Sequence, residues 1–154
     1  RRGVRVGEDV AVYSSDIDGG FGFLIDIGNH VTITNATILA HDASTKRSLG
    51  YSKIGRVRIG DHVFIGYGSI ILPGVTIGDH VVVGAGTIVR EDVPDNCVII
   101  GNPGKVVCST EEYIEKNSDK LKKSPQYESY WKDKNEKEKN QMREDLQNTI
   151  GFNV

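Results

Sequence analysis

Four histidines punctuate the chain, and three of them share a spacing that the fourth does not. His30, His62 and His80 each follow an isoleucine by three places (Ile27, Ile59, Ile77), whereas His41 stands in a segment of its own, TILAHDAS. A neutral imidazole titrates near physiological pH, so it can take the proton of a hydroxyl while that oxygen forms a new bond. Such a base needs a carboxylate or carbonyl on its second ring nitrogen to fix the tautomer, and Asp42 is its neighbour in sequence. The plain alternative is a solvated histidine with no chemistry.

The elements that position these residues are written in a six-residue beat. An aliphatic side chain returns at Ile59, Ile65, Ile71, Ile77, Val83 and Val89, and glycine follows four of them directly (Gly60, Gly66, Gly78, Gly84). Two places before each anchor stands a small or β-branched residue, Val57, Val63, Ser69, Val75, Val81 and Thr87. The same beat runs upstream through Ile27, Ile33 and Leu39, with Ile25, Val31 and Thr37 two places earlier and a trace at Val6 and Val12. A period of six is neither that of a helix nor that of a strand. It suits a solenoid whose side is one short strand and a corner, with successive coils pairing at ~4.8 Å. Glycine after the anchor is read as relief for a strained corner.

The register slips twice. Leu39 to Ile59 is six plus fourteen, so about fourteen residues near 42–55 are expected to loop out, and Ser14–Phe23 (SSDIDGGFGF) also breaks the count. Insertions in a solenoid leave at corners and often carry binding functions. Beyond Ile100 the beat ends. Ser109-Thr110-Glu111-Glu112 reads as a capping box opening a helix to about Lys123, and Ser124-Pro125 as the start of a second helix. Tyr127, Tyr130 and Trp131 at its start and Met142, Leu146 and Ile150 at its end are expected to dock it; a solvated tail is the alternative. The expected organisation is a mainly β solenoid over 1–108 and a charged helical extension over 109–154.

A net charge of −2 gives no field that would draw in nucleic acid or an acidic membrane, and no apolar run approaches the ~20 residues that span a bilayer. Cys97 and Cys108 lack CxxC spacing and read as free thiols. No signal-like segment opens the chain, and a cytoplasmic protein is expected; Arg1 in place of an initiating Met leaves room for an upstream segment.

The stretch Ile59–Lys105, with its PGVTIGD, VVGAGTIV, DVP and GNPGK pieces in order, resembles the closing coils of the hexapeptide-repeat acetyltransferases, the family of galactoside and maltose O-acetyltransferases. The resemblance covers roughly residues 25–108. It implies a left-handed parallel β-helix, a homotrimer with active sites between subunits, acetyl-CoA as co-substrate, and direct attack by a sugar hydroxyl with His41 as general base. It also implies that Gly66, Tyr67, Gly84 and Ala85 line the coenzyme path, a backbone N–H near Gly66 serving the thioester oxyanion, with Arg90 and Lys105 on its phosphates. Phe64, where many relatives carry tryptophan, and Cys108, where they carry a basic residue, depart from the pattern.

For the acceptor, a sugar or polysaccharide precursor, Tyr13, Asp16, Asp18 and Asn35 are the candidate contacts, because carboxylates and phenols hydrogen-bond hydroxyls well; a solvated turn is the alternative at Ser14–Phe23. Lys46, Arg47 and Lys53 would suit an anionic sugar or a nucleotide-sugar phosphate, but a plain solvated loop is the favoured reading there. Three other functions stay open: N-acetylation of an amino sugar, a γ-carbonic-anhydrase-like zinc enzyme, and a non-catalytic assembly module. His30, His62 and His80 should stack in one ladder ~4.8 Å apart, a poor arrangement for three nitrogens to meet one ion ~2 Å away, so no metal is expected.

Overall fold

The computed structural model describes residues 3–154, which form two compact units, one ending at Glu111 and one beginning at Glu112. The first is a parallel solenoid. Arg5–Val6, Ile25–Ile27, Val57–Ile59 and Thr76–Ile77 pair in parallel as one face. Ala11–Tyr13, Thr32–Thr34, Phe64–Ile65, Val82–Val83 and Cys97–Ile100 form the second, closed at its end by the antiparallel strand Lys105–Ser109. Asp16–Ile17, Thr37–Ile38, Ile70–Ile71 and Ile88–Val89 form the third. The anchors point inward and stack; Ile25, Ile33, Ile38, Ile65, Ile71 and Ile77 are all buried. Each such burial is worth about 1.5–3 kcal/mol.

One anchor differs from the sequence reading. Ile38, not Leu39, is the buried residue, in register with Ile17 and Ile71, and Ala36 rather than Thr37 lies inside with Ser69 and Thr87. The corner between the second and third faces is one residue tighter in the first two coils: Val12 to Ile17 and Ile33 to Ile38 are five steps, Ile65 to Ile71 six. Ser14 (φ 47°) and Asn35 (φ 42°) turn the tight corners in the left-handed region, and the Ser15 hydroxyl accepts the Ala36 N–H at 3.1 Å.

The glycines after the anchors also have another reason than the one read from sequence. Gly28, Gly60 and Gly78 do not adopt positive φ; the left-handed residues of that corner are His30, His62 and His80 (φ 55–56°). A Cβ on Gly60 would come within 2.3 Å of Asp79 Oδ1 and 2.8 Å of the Gly78 carbonyl, and Gly28 and Gly78 face Asp61 and Asp95 in the same way. Those carboxylates rise from the next coil to accept the N–H groups of Asn29, Asp61 and Asp79 at 2.7–2.8 Å. Glycine is therefore required for close approach between coils. Beside this ladder the three imidazoles stack, with ring centroids 4.7 Å apart and interplanar angles of 16° and 5°.

The excursion leaves at Ala40 and returns at Gly55, whose N–H donates to the Ala40 carbonyl at 2.9 Å. It is a hairpin, with His41–Asp42 antiparallel to Lys53–Ile54, capped by the one-turn helix α1 (Lys46–Leu49). In the first coil the same corner is a knuckle ending in a 3-10 turn, Gly22–Leu24.

The second unit holds most of helix α2 (Thr110–Leu121), a parallel pair of Gln126–Tyr127 with Phe152–Asn153, and helix α3 (Glu136–Asp145). The expected helix start at Ser124-Pro125 is corrected: Pro125 leads into the strand pair, its carbonyl accepting the Phe152 N–H at 2.9 Å, and the helix begins after Asn135. Asn135 and Glu138 form a reciprocal capping box there, which satisfies N–H groups that Ser124-Pro125 would leave open. Ile150 lies beyond the helix. Among the described residues no helix is long and apolar enough to cross a membrane.

Gly60→Ala is expected to lower unfolding free energy by about 1–3 kcal/mol, the usual penalty of overpacking a close-packed site. Urea denaturation checks this, and an unchanged midpoint would refute the close-approach account.

Candidate active site

At the corner between the third and first faces, Asp18 of the first coil lies in register with the exit of the second. Its carboxylate is buried and four donors converge on it. Oδ1 accepts the N–H groups of Gly20 and Phe21, both at 3.0 Å. Oδ2 accepts the Ala40 N–H at 3.0 Å and is hydrogen-bonded to His41 Nδ1. Burial by itself would raise the Asp18 pKa, but the hydrogen bonds from His41, Phe21, Ala40 and Gly20 outweigh it and hold the group at about 2. Asp18 is thus an anion with no capacity to donate, so the Nδ1 it contacts carries the proton and the lone pair of His41 lies on Nε2.

The His41 side chain is 36% exposed while that of Asp18 is wholly covered. The imidazole helps line a hollow of about 360 Å³ with Leu39, Asp42, Lys53, Ile54, Leu72, Pro73 and Arg90. The Phe21 ring lies 5.0 Å from it, centroid to centroid, tilted by 38°. Arg90 also lines an adjoining hollow of about 340 Å³ shared with Lys105, Pro103 and Gly104. The arrangement offers an oriented imidazole with a free lone pair, an apolar wall of Leu39, Ile54, Leu72 and Pro73, and the cation Arg90.

Two expectations change here. Asp42 is not the partner of His41; it pairs with Lys53 at 2.5 Å across the hairpin, and that hydrogen bond is the main reason its carboxyl sits at about 2. Asp18 is not a solvent-facing acceptor contact, because every bond it makes is internal. Its role was missed through the miscounted corner: with Ile17 aligned on Ile38, Asp18 falls beside Leu39 and Ala40, and the Asp18 N–H indeed donates to the Ile38 carbonyl at 2.9 Å. Phe21 was also missed; its only signal was the FGF run inside the break.

The remaining candidates sit elsewhere. Asn35, Gly66, Tyr67, Gly84 and Ala85 occupy the corner between the second and third faces, with Tyr13 at its edge. The backbone links them there, Asn35 N–H to Tyr13 carbonyl at 2.7 Å and Gly68 N–H to Asn35 carbonyl at 3.1 Å. Tyr13 and Tyr67 are exposed, and Asp16 lies on the third face in register with Thr37. The Gly66 N–H is not free for an oxyanion, as it donates to the Val83 carbonyl at 2.8 Å; a Cβ at Gly66 would come within 2.7 Å of that oxygen. Within one chain, then, the structure gathers Asp18, His41 and Arg90 at one corner and the glycine-tyrosine set at another, with the third face between them. Phe64 is partly exposed on the second face, and Cys108 is half-buried opposite Val98.

A stacked hexad solenoid with a histidine on an excursion defines a class of protein, and comparison with known proteins identifies it. The family model for bacterial transferase hexapeptide (six repeats) matches residues 56–91. The chain is 51% identical over 131 residues to protein CapG of Staphylococcus aureus, covering 79% of this chain and 76% of that one. It therefore belongs to the hexapeptide-repeat transferase family, whose similar members are acetyltransferases. Among solved structures, a maltose O-acetyltransferase of Clostridium difficile is 37% identical with a TM-score of 0.57, covering 70% of this chain and 59% of that one. A hexapeptide-repeat acetyltransferase of Vibrio cholerae, complexed with acetyl coenzyme A, is 28% identical with a TM-score of 0.56, covering 71% and 61%. The chain thus spans less than two thirds of the length of both.

Because the Asp18 pKa of about 2 lies below the ordinary 3.8, the unfolded chain takes up this proton first as pH falls. The stabilisation is complete above about pH 4 and is lost towards pH 2, roughly 2–3 kcal/mol in all. Asp26, held at about 2 chiefly by Arg5 and then by Arg56 against burial, titrates in the same window. The measurement is therefore a difference: Asp18→Asn should lose less stability than the parent between about pH 4 and pH 2 in urea unfolding. Parallel losses would contradict the assignment.

Proposed function

We propose that this chain is an acetyl-CoA-dependent O-acetyltransferase acting on a sugar or polysaccharide precursor, with His41 as general base and Asp18 as its positioning residue. The observation that carries the reading is the His41 Nδ1–Asp18 contact, which leaves Nε2 as the basic nitrogen. Nε2 takes the proton of the acceptor hydroxyl as its oxygen attacks the thioester carbonyl. When the tetrahedral intermediate collapses, the C–S bond breaks and the same proton passes to the departing thiolate. Asp18 stabilises the imidazolium between these steps without accepting its proton, since its carboxyl is held at about 2.

The donor is inferred from the acetyl coenzyme A complex of the Vibrio cholerae relative. Arg90 and Lys105, sharing one hollow, are read as its phosphate contacts. Tyr67, Gly84 and Ala85 are read as lining the pantetheine path. Because these residues and His41 occupy different corners of one solenoid, they can share a site only across two copies. This supports the homotrimer with sites between subunits that the family resemblance implies; the left hand of the β-helix rests on that resemblance alone. Tyr13 and Asn35, at the same corner as Tyr67, would then approach the base from the neighbouring copy, and Asp16 from the intervening face. Lys53 is engaged by Asp42 and is read as bracing the hairpin that carries His41.

Thiol release from acetyl-CoA, measured over a panel of sugars, amino sugars and nucleotide-sugars, tests the reading. His41→Ala is expected to reduce transfer by ~10²–10⁴-fold, the range that a positioned base supplies. Asp18→Asn should lower kcat with KM for acetyl-CoA little changed. Full activity in His41→Ala would end the proposal, and a preference for amino sugars would move the acceptor from oxygen to nitrogen.

A further inference from the structure

Once Asp18 is recognised as buried, the polar side chain expected to grip the acceptor is missing from the base's own corner. What stands there instead is a row of rings. Phe21 lies with its centroid 5.0 Å from His41 and 6.0 Å from Phe23, and the row runs outward from the base. Phe21 is partly buried and packs against the core, whereas Phe23 is 58% exposed. Phe23 is not on a loose tip. It is the middle residue of the Gly22–Leu24 turn, closed by the Leu24 N–H on the Phe21 carbonyl at 2.9 Å. The backbone beneath is tight as well, since a Cβ on Gly3 would come within 3.0 Å of the Phe23 Cβ. The turn is tied to the base a second time through the Phe21 N–H on Asp18.

We infer that Phe23 is the acceptor-side contact of this site and that it takes the apolar C–H face of a pyranose ring, so that a hydroxyl on the rim of that ring is the one presented to His41. This rests on the acetyltransferase reading above and adds, from the chain that carries the base, an acceptor contact beside Tyr13, Asn35 and Asp16. An exposed aromatic ring held rigidly loses little entropy on binding and offers a flat apolar surface. A pyranose has such a face together with a rim of hydroxyls, and Phe21, itself packed against the core, sets how far the sugar stands from the imidazole. Recognition by stacking also agrees with the absence of a free carboxylate on this knuckle: Asp18 is engaged four times over, and Asp16 lies on the third face.

The test uses the full chain, acetyl-CoA and a panel of methyl hexopyranosides, with Phe23→Ala, Phe23→Trp and His41→Ala. Saturation-transfer NMR should show ring C–H protons of at least one pyranoside in contact with the parent protein, a signal lost in Phe23→Ala and kept in Phe23→Trp and His41→Ala. In thiol-release kinetics, Phe23→Ala should raise the acceptor KM on the order of tenfold, the ratio that about 1.4 kcal/mol of lost contact produces. The KM for acetyl-CoA should stay unchanged and Phe23→Trp should restore the acceptor KM. No saturation transfer to any pyranoside in the parent, an unchanged acceptor KM in Phe23→Ala, or an equal rise in the acetyl-CoA KM would each overturn the inference, the last by moving Phe23 to the donor side. Failure of the base reading looks different: His41→Ala would keep transfer while the Phe23 effects remained.

Discussion

A single buried carboxylate ties the first two coils of this protein together and sets the direction of its one off-ladder imidazole. Asp18 would be an expensive group to bury unpaired. It is tolerated because Gly20, Phe21, Ala40 and His41 supply donors to both of its oxygens. Two of those donors come from its own knuckle and two from the exit of the next coil, so the bond that orients His41 also closes the corner. Orientation of His41 and local folding are the same interaction, which is why the excursion can leave the solenoid at that point without loosening its first residue.

The solenoid supplies the regularity that this arrangement needs. Parallel pairing in register puts residues of successive coils above one another at a fixed step, so a carboxylate in coil one can meet a histidine in coil two only if their corners align. At the neighbouring corner the same rule produces the glycine–Asx–histidine ladder. There a missing Cβ on one coil makes room for the carboxylate of the next, and three imidazoles stack at 4.7 Å. Stacked rings present their faces to each other and their nitrogens side by side, which is the geometry of a structural column. His41 differs because the chain departs from the ladder immediately after Ala40.

The corners also divide the chemistry. His41, Arg90 and the aromatic knuckle lie on one edge, and the tyrosines and glycines read as the coenzyme path lie on another. The two hollows of the single chain, about 360 and 340 Å³, both open on the edge that carries Arg90.

Much of the fold was legible in the sequence because a period of six is a strong signal: the histidine ladder and the anchors of the later coils follow from counting alone, and the break after Ala40 is visible in it, although with Ile38 as the anchor the count to Ile59 is 21 rather than 20. The resemblance that pointed to a transferase followed from the GNPGK and VVGAGTIV runs. Counting failed where the period changed. The corners at Ser14 and Asn35 are one residue short, made possible by left-handed backbone and a serine hydroxyl standing in for an N–H acceptor, and neither device leaves a mark in hydrophobic spacing. Only the tertiary structure could therefore align Ile17 with Ile38, bring Asp18 under His41, turn Asp42 away to Lys53, and engage the Gly66 N–H in the ladder. The sequence determined which residues are able to do chemistry; the register between coils, set by hydrogen bonds between residues about one coil apart, decided which of them meet.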